Sequence, residues 1–148
     1  KTKIVADGGF KTNADIIKVL ALGADYVMLG GIISKSLEAC GEVKLLGIPI
    51  GIFKGLVWNI KFLRKYMTRN YRGMSTKDVQ KSWGKKELTT SEGISKPNKV
   101  EYLFSTWLSN FKDHLRSAMS YCGAGSLEEF KGSQFVFITE NALRRFDK

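Results

Sequence analysis

Three features of the sequence predict an α/β fold built on a parallel βαβ unit. Ile4-Val5-Ala6-Asp7-Gly8-Gly9 and Tyr26-Val27-Met28-Leu29-Gly30-Gly31 each run from an apolar stretch into a diglycine. A segment of helical periodicity lies between them, and so short a link between strands of like direction calls for a right-handed crossover. Strand, helix, strand with glycines at both strand exits fits the last two units of a (β/α)8 barrel. In that fold the loops after strands 7 and 8 commonly build a phosphate site. Glycine suits the task because bare backbone N–H groups can approach an anion with no Cβ in the way. A complete barrel needs roughly 250 residues, and this chain has 148. The expectation is therefore a single partial domain over 1–148, the C-terminal portion of a barrel with strands 7 and 8 and their helices. A finger and mobile flap are expected as an insertion over 43–99.

Each element has a local reason. Residues 3–6 form a continuous apolar run stopped by Asp-Gly-Gly, the pattern of a short buried strand. Thr12 with Asp15 three positions on is a capping-box pattern opening a helix over Asn13–Leu22, whose apolar face is Ile16, Ile17, Leu20 and Ala21. Gly23 follows as its stop, and residues 25–30 make the second strand. Ile32–Ala39 is expected to be helical, 43–66 to be a hairpin or finger, and 67–99 to be a mobile loop rich in Lys, Thr, Ser and Gly. Tyr102–Tyr121 carries Phe104, Trp107, Leu108, Phe111, Leu115, Ala118 and Met119 as a helical stripe ending at Gly123. Ser126 with Glu129 caps a short helix, and Gln134–Thr139 reads as a terminal strand or extended tail.

The formal net charge of +10 is unevenly spread: ten Lys or Arg residues lie from Lys54 to Lys86, against the single acid Asp78. Such blocks are commonly solvated faces or loops; a phosphate-bearing ligand or acidic partner is the functional alternative. Cys40 and Cys122 give no disulfide framework and no C-x-x-C pair, which fits a reducing, cytoplasmic setting. No signal-peptide pattern is visible. The most apolar window, Leu45–Ile60, is broken by Gly47, Pro49, Gly51, Lys54 and Gly55 and makes a poor membrane span.

Four constellations carry chemistry. Asp7-Gly8-Gly9 sets a carboxylate at a strand's end, where it can accept hydrogen bonds from a vicinal diol; its plain alternative is a simple Asp-Gly turn. Gly30-Gly31 offers successive N–H groups to an anion, or is only a tight strand exit. Tyr71-Arg72-Gly73-Met74-Ser75 combines phenol, guanidinium, glycine and hydroxyl in the most basic stretch, with an ordinary loop as the alternative. Ser91-Glu92-Gly93 holds an acid between a hydroxyl and a glycine, where a solvated carboxylate is the ordinary reading. His114 falls among apolar helix neighbours and reads as structural. Cys40 has no evident basic neighbour to activate it, and Trp107 belongs to the core.

Taken in order, Ala6-Asp7-Gly8-Gly9, Gly23 to Gly31, Tyr71 to Ser75 and Ser91-Glu92-Gly93 resemble the IMP dehydrogenase/GMP reductase family. Ser117 to Ala124 followed by Leu127-Glu128-Glu129 resembles that family's C-terminal segment. The resemblance covers roughly residues 3–140 and is weakest over 43–66. It implies a (β/α)8 barrel that binds a purine nucleoside monophosphate, GMP or IMP, and exchanges hydride with a nicotinamide cofactor. By the same resemblance Asp7 holds the ribose hydroxyls, Gly9, Gly30, Gly31 and Tyr71 surround the phosphate, and Gly8 is counted with the substrate-binding residues. Gly73, Met74 and Ser75 meet the base, with Glu92 and Gly93 at its reactive edge. Glu92 alone is given a chemical role, in proton transfer or in positioning the leaving or attacking group.

Two activities compete within the resemblance. The dehydrogenase type carries a long flap with an Arg-Tyr pair between its Tyr-Arg-Gly-Met and its Glu-Gly. Here seventeen residues separate Met74 from Glu92, with no Arg-Tyr among them. That favours NADPH-dependent reduction of GMP to IMP and ammonia, with NAD-dependent IMP dehydrogenase as the alternative. Against the reductase, Tyr71-Arg72-Gly73-Met74 is closer to the dehydrogenase wording, and Thr89 stands near the place of a reductase arginine. The family's nucleophilic cysteine is expected upstream of Lys1, so 148 residues alone are expected to be inactive. A homotetramer in the cytoplasm, no membrane and no nucleic acid are further expectations. A basic nucleic-acid-binding module without catalysis is the alternative of another class.

Overall fold

The computed structural model describes residues 2–73, 76–84, 86–87 and 95–144. β1 (Val5–Asp7) and β2 (Tyr26–Met28) pair in parallel, with Val5 opposite Tyr26, Ala6 opposite Val27 and Asp7 opposite Met28. α1 (Asn13–Ala21) crosses between them. Its predicted capping box forms: the Thr12 hydroxyl accepts from the Asp15 N–H at 3.2 Å, and the Asp15 carboxylate accepts from the Thr12 N–H at 2.9 Å. The N–H groups of Thr12 and Lys11 hold that carboxyl below its ordinary pKa. Both strands are shorter than expected. Val27 packs against the helices, while Val5, Tyr26 and Met28 are each more than half exposed on the other face.

α2 (Gly31–Ser34) is one turn, shorter than the helix expected over Ile32–Ala39. The next backbone groups are captured by the chain before the long C-terminal helix: Glu101 N–H donates to Lys35 at 2.9 Å and Leu37 N–H to Tyr102 at 2.9 Å. A bridge then joins Ser36 to Tyr102, and carbonyls engaged this way cannot continue an α-helix.

The expected finger begins as a hairpin of β3 (Val43–Leu45) and β4 (Ile48–Pro49). A 3-10 turn at Gly51–Phe53, α3 (Lys54–Asn59) and α4 (Lys61–Arg64) follow. The loop expected over 67–99 is corrected by β5 (Met67–Arg72), α5 (Lys77–Ser82) and β6 (Ser95–Lys99). These strands form an antiparallel sheet ordered β4-β3-β5-β6. The strand pattern in Met67-Thr68-Arg69-Asn70-Tyr71-Arg72 was hidden because an arginine occupies an inward position between Met67 and Tyr71. Pro97 is accommodated because β6 is an edge strand.

α6 (Phe104–Tyr121), α7 (Leu127–Phe130) and α8 (Glu140–Leu143) complete the described chain. Ser126 caps α7 as expected, accepting from Glu129 N–H at 3.2 Å. Residues 134–139 join neither sheet, which leaves the extended-tail reading. Ile16, Ile32 and Trp107 form one core under β2, with Trp107 stacked on Phe111 at 5.6 Å. Leu37, Val43, Met67 and Val100 form a second core beneath the antiparallel sheet. Among the described residues no helix is long and apolar enough to cross a membrane.

Candidate anion-binding site

The parallel register sends both diglycine exits to the same end of β1 and β2, on strands that in any sheet lie about 4.8 Å apart. The glycines there are required for two different reasons. Gly8 and Gly9 have φ of +126° and +66°, and a Cβ on either would meet open space. Their need is conformational, and it leaves unshielded backbone at the strand end. Gly30 has an ordinary negative φ of −119°. A Cβ there would lie 2.6 Å from the Tyr71 hydroxyl oxygen. Its need is space, so Tyr71 from the antiparallel sheet sits against the exit of β2.

Gly30, Cys40, Arg69, Tyr71 and Arg72 line one open cleft of about 340 Å³. The size is within the range of small-ligand pockets. Arg72 and the Tyr71 phenol beside exposed backbone suit an oxyanion. Cys40 thus has a basic surround that local sequence did not reveal, because it comes from β5.

Arg69, a neighbour of this cleft, is not flagged by any local sequence motif. Its side chain is 1% exposed. Nε donates to Gly41 at 3.2 Å, Nη1 to Ser34 at 3.1 Å and Ser36 at 2.5 Å, and Nη2 to Leu37 at 2.9 Å, all main-chain carbonyls. Burial lowers its pKa from the ordinary guanidinium value. Asn98 Nδ2 donates to Ser34 Oγ at 2.7 Å, and Ser34 Oγ to the Gly31 carbonyl at 2.8 Å. Tyr102 donates to the Ile32 carbonyl, and burial pushes its phenol up to about 12. Glu38, likewise unflagged, accepts from the first N–H of α6, Phe104, at 2.9 Å. The only sequence signal for Arg69 is its inward phase between Met67 and Tyr71; Glu38 gives none.

Of the expected site residues, Asp7 ends β1 opposite Met28, and Gly8, Gly9, Gly30 and Gly31 occupy the shared strand end. Tyr71 joins them, and Gly73 follows β5. Met74, Ser75, Glu92 and Gly93 lie outside the described residues, as does Ser91. His114 is exposed and bonded through Nδ1 to Asn13 Nδ2 at 3.0 Å, tying α6 to α1. Among the described residues no His, Cys, Asp and Glu group is placed to hold a metal.

The opposite end of the pair is a structural face. Asp25 accepts from Lys131 Nζ at 2.8 Å, Ile4 N–H at 2.9 Å and Lys3 Nζ at 3.1 Å. These bonds, Lys131 foremost, hold its carboxyl well below the usual range. In barrels, the N-terminal strand ends are where stability is built, while sites lie at the C-terminal ends.

Known proteins resemble this chain along nearly its whole length. The model of the "IMP dehydrogenase / GMP reductase domain" matches residues 1–146. Inosine-5′-monophosphate dehydrogenase of Cryptosporidium parvum is 32% identical over 95% of this chain and 34% of its own length. The enzyme of Chlorobaculum parvum is 32% identical over 97% of this chain and 28% of its own. A crystal structure of GMP reductase from Trypanosoma brucei in complex with guanosine 5′-monophosphate superimposes with a TM-score of 0.74 at 28% identity. It covers 97% of this chain and 27% of that one. The chain spans about a third or less of the length of these relatives, and its α/β structure matches part of their barrel. With the family model spanning nearly every residue, the chain belongs to the IMP dehydrogenase / GMP reductase family.

Proposed function

We propose that β1 and β2 are strands 7 and 8 of a (β/α)8 barrel and that their shared end grips the 5′-phosphate of a purine nucleoside monophosphate. The observation that carries this is the parallel β1–β2 register, which turns Gly8-Gly9 and Gly30-Gly31 out at one end with Tyr71 against Gly30. Gly8, Gly9, Gly30, Gly31 and Tyr71 surround the phosphate, and Asp7 accepts hydrogen bonds from the ribose hydroxyls. Gly73, Met74 and Ser75 meet the base. The exposed apolar face of Val5, Tyr26 and Met28 supports the barrel reading, because parallel strands are ordinarily covered on both faces.

Glu92, with Gly93 beside it, is assigned proton transfer at the base's reactive edge. It stands three residues before Ser95, which pairs with Arg72 beside Tyr71. The finger and flap of 43–99 border the site in this reading. NADPH supplies hydride when bound. In this reading the residues of this chain hold the nucleotide, and Glu92 manages a proton.

The reaction favoured is reductive deamination of GMP to IMP and ammonia. The seventeen-residue interval from Met74 to Glu92, without an Arg-Tyr pair, supports it, as does the likeness to a GMP reductase structure. IMP dehydrogenase with NAD is the second reading, favoured by the 32% identity to two dehydrogenases. Assaying the complete protein with GMP plus NADPH and with IMP plus NAD separates them. Ammonia release with NADPH oxidation is expected; NAD reduction with IMP alone would reverse the assignment.

A further inference from the structure

Charged side chains are seldom fully buried without an opposite charge beside them. Arg69 spends four guanidinium N–H bonds on main-chain carbonyls of Ser34, Ser36, Leu37 and Gly41, with the Glu38 carboxylate adding a weaker attraction. Those carbonyls belong to the end of α2 and the segment behind it. Ser34 is in turn bonded to Asn98 of β6 and back to Gly31. A continuous set of bonds therefore joins the first residue of α2 to β5 and β6. Tyr71 stands two residues after Arg69 on the same face of β5, with its hydroxyl against Gly30.

We infer that Arg69 is a positioning residue for the nucleotide phosphate: by clamping the 34–41 segment to β5 it fixes the seat of Tyr71 on Gly30. The inference rests on the phosphate reading proposed above. Arginine is required because its planar fork presents five donors in fixed directions. A lysine offers one nitrogen with three donors and cannot span carbonyls spread from Ser34 to Gly41. Arg69 is also among the residues that border the cleft, so its charge adds positive potential near where the anion would sit.

The test compares wild type, Arg69→Lys, Tyr71→Phe and the double variant in the complete protein, measuring KM, kcat and Tm. A lost binding contact shared by ground and transition state raises KM alone, so Arg69→Lys is expected to raise KM for the monophosphate about tenfold with kcat within about threefold. Because Arg69 acts through Tyr71, the same change in the Tyr71→Phe background is expected to move KM by less than about threefold. A lowered Tm with unchanged KM overturns the inference, as does a full tenfold effect repeated in the Tyr71→Phe background. Should Arg69→Lys fail to fold, Gly41→Ala probes the same contact. Its Cβ would stand 3.4 Å from Arg69 Cδ, at a φ of +99°. A raised KM supports the clamp and an unchanged one overturns it. Equal wild-type KM for nucleoside and monophosphate defeats the phosphate reading and this inference together. A phosphate-dependent wild type with an unmoved Arg69→Lys defeats the inference alone.

Discussion

The hydroxyl oxygen of Tyr71 lies 2.6 Å from where a Cβ on Gly30 would stand, too close for any side chain there. Two elements from different sheets are thereby brought to one strand end. Gly30→Ala is expected to push the phenol aside and weaken nucleoside monophosphate binding by about 1–3 kcal/mol, the scale of a lost charge-assisted hydrogen bond. Isothermal titration with GMP and guanosine checks this; the nucleoside's affinity should change little.

Several local features are legible in the sequence. The diglycine exits, the Thr12 capping box and the α6 stripe are all local patterns, and each formed where its residues predicted. Tyr71 was legible as a candidate, but its contact with Gly30 was not, because it depends on how two sheets meet. Arg69 and Glu38 escaped because their partners lie far away in sequence: Arg69 reaches back to Ser34 and Gly41, and Glu38 forward to Phe104. The sequence of β5 reads as loop because basic residues dominate its neighbourhood and one of them points inward.

Asp7 is expected to anchor the ribose. Asp7→Ala should cost about 1–3 kcal/mol of nucleotide affinity. The loss should be smaller for a 2′-deoxynucleotide, which lacks half of the diol. Binding of GMP by the variant at wild-type affinity would remove Asp7 from the site.

Glu92 is expected to act in the chemical step. Glu92→Gln should lower kcat by about 10²–10⁴-fold, the range for a general acid or base, while KM moves little. Equal losses of affinity and turnover would make it a binding residue only.

The ion cluster at the far strand end predicts an acid-dependent stability. Asp25 is held below its ordinary pKa by Lys131, Ile4 N–H and Lys3, whereas in the unfolded chain it titrates near about 3.9. Its folded-state pKa is depressed, so its contribution is complete above the unfolded value and is lost as pH falls below about 4. Asp25→Asn should be less stable than wild type at neutral pH, and the gap should close towards about pH 2. Urea unfolding of both proteins across that range is the measurement. A gap that stays constant with pH would separate Asp25's carboxylate from stability.

The most direct test of the shared phosphate grip is to watch the backbone amides of Gly8, Gly9, Gly30 and Gly31 by NMR in the complete protein, glycine-labelled with ¹⁵N. GMP should shift amides at both strand exits together, with one saturation curve, while guanosine at equal occupancy leaves them in place. Amides that ignore GMP, or that respond equally to guanosine, would contradict a phosphate held between the two strand ends.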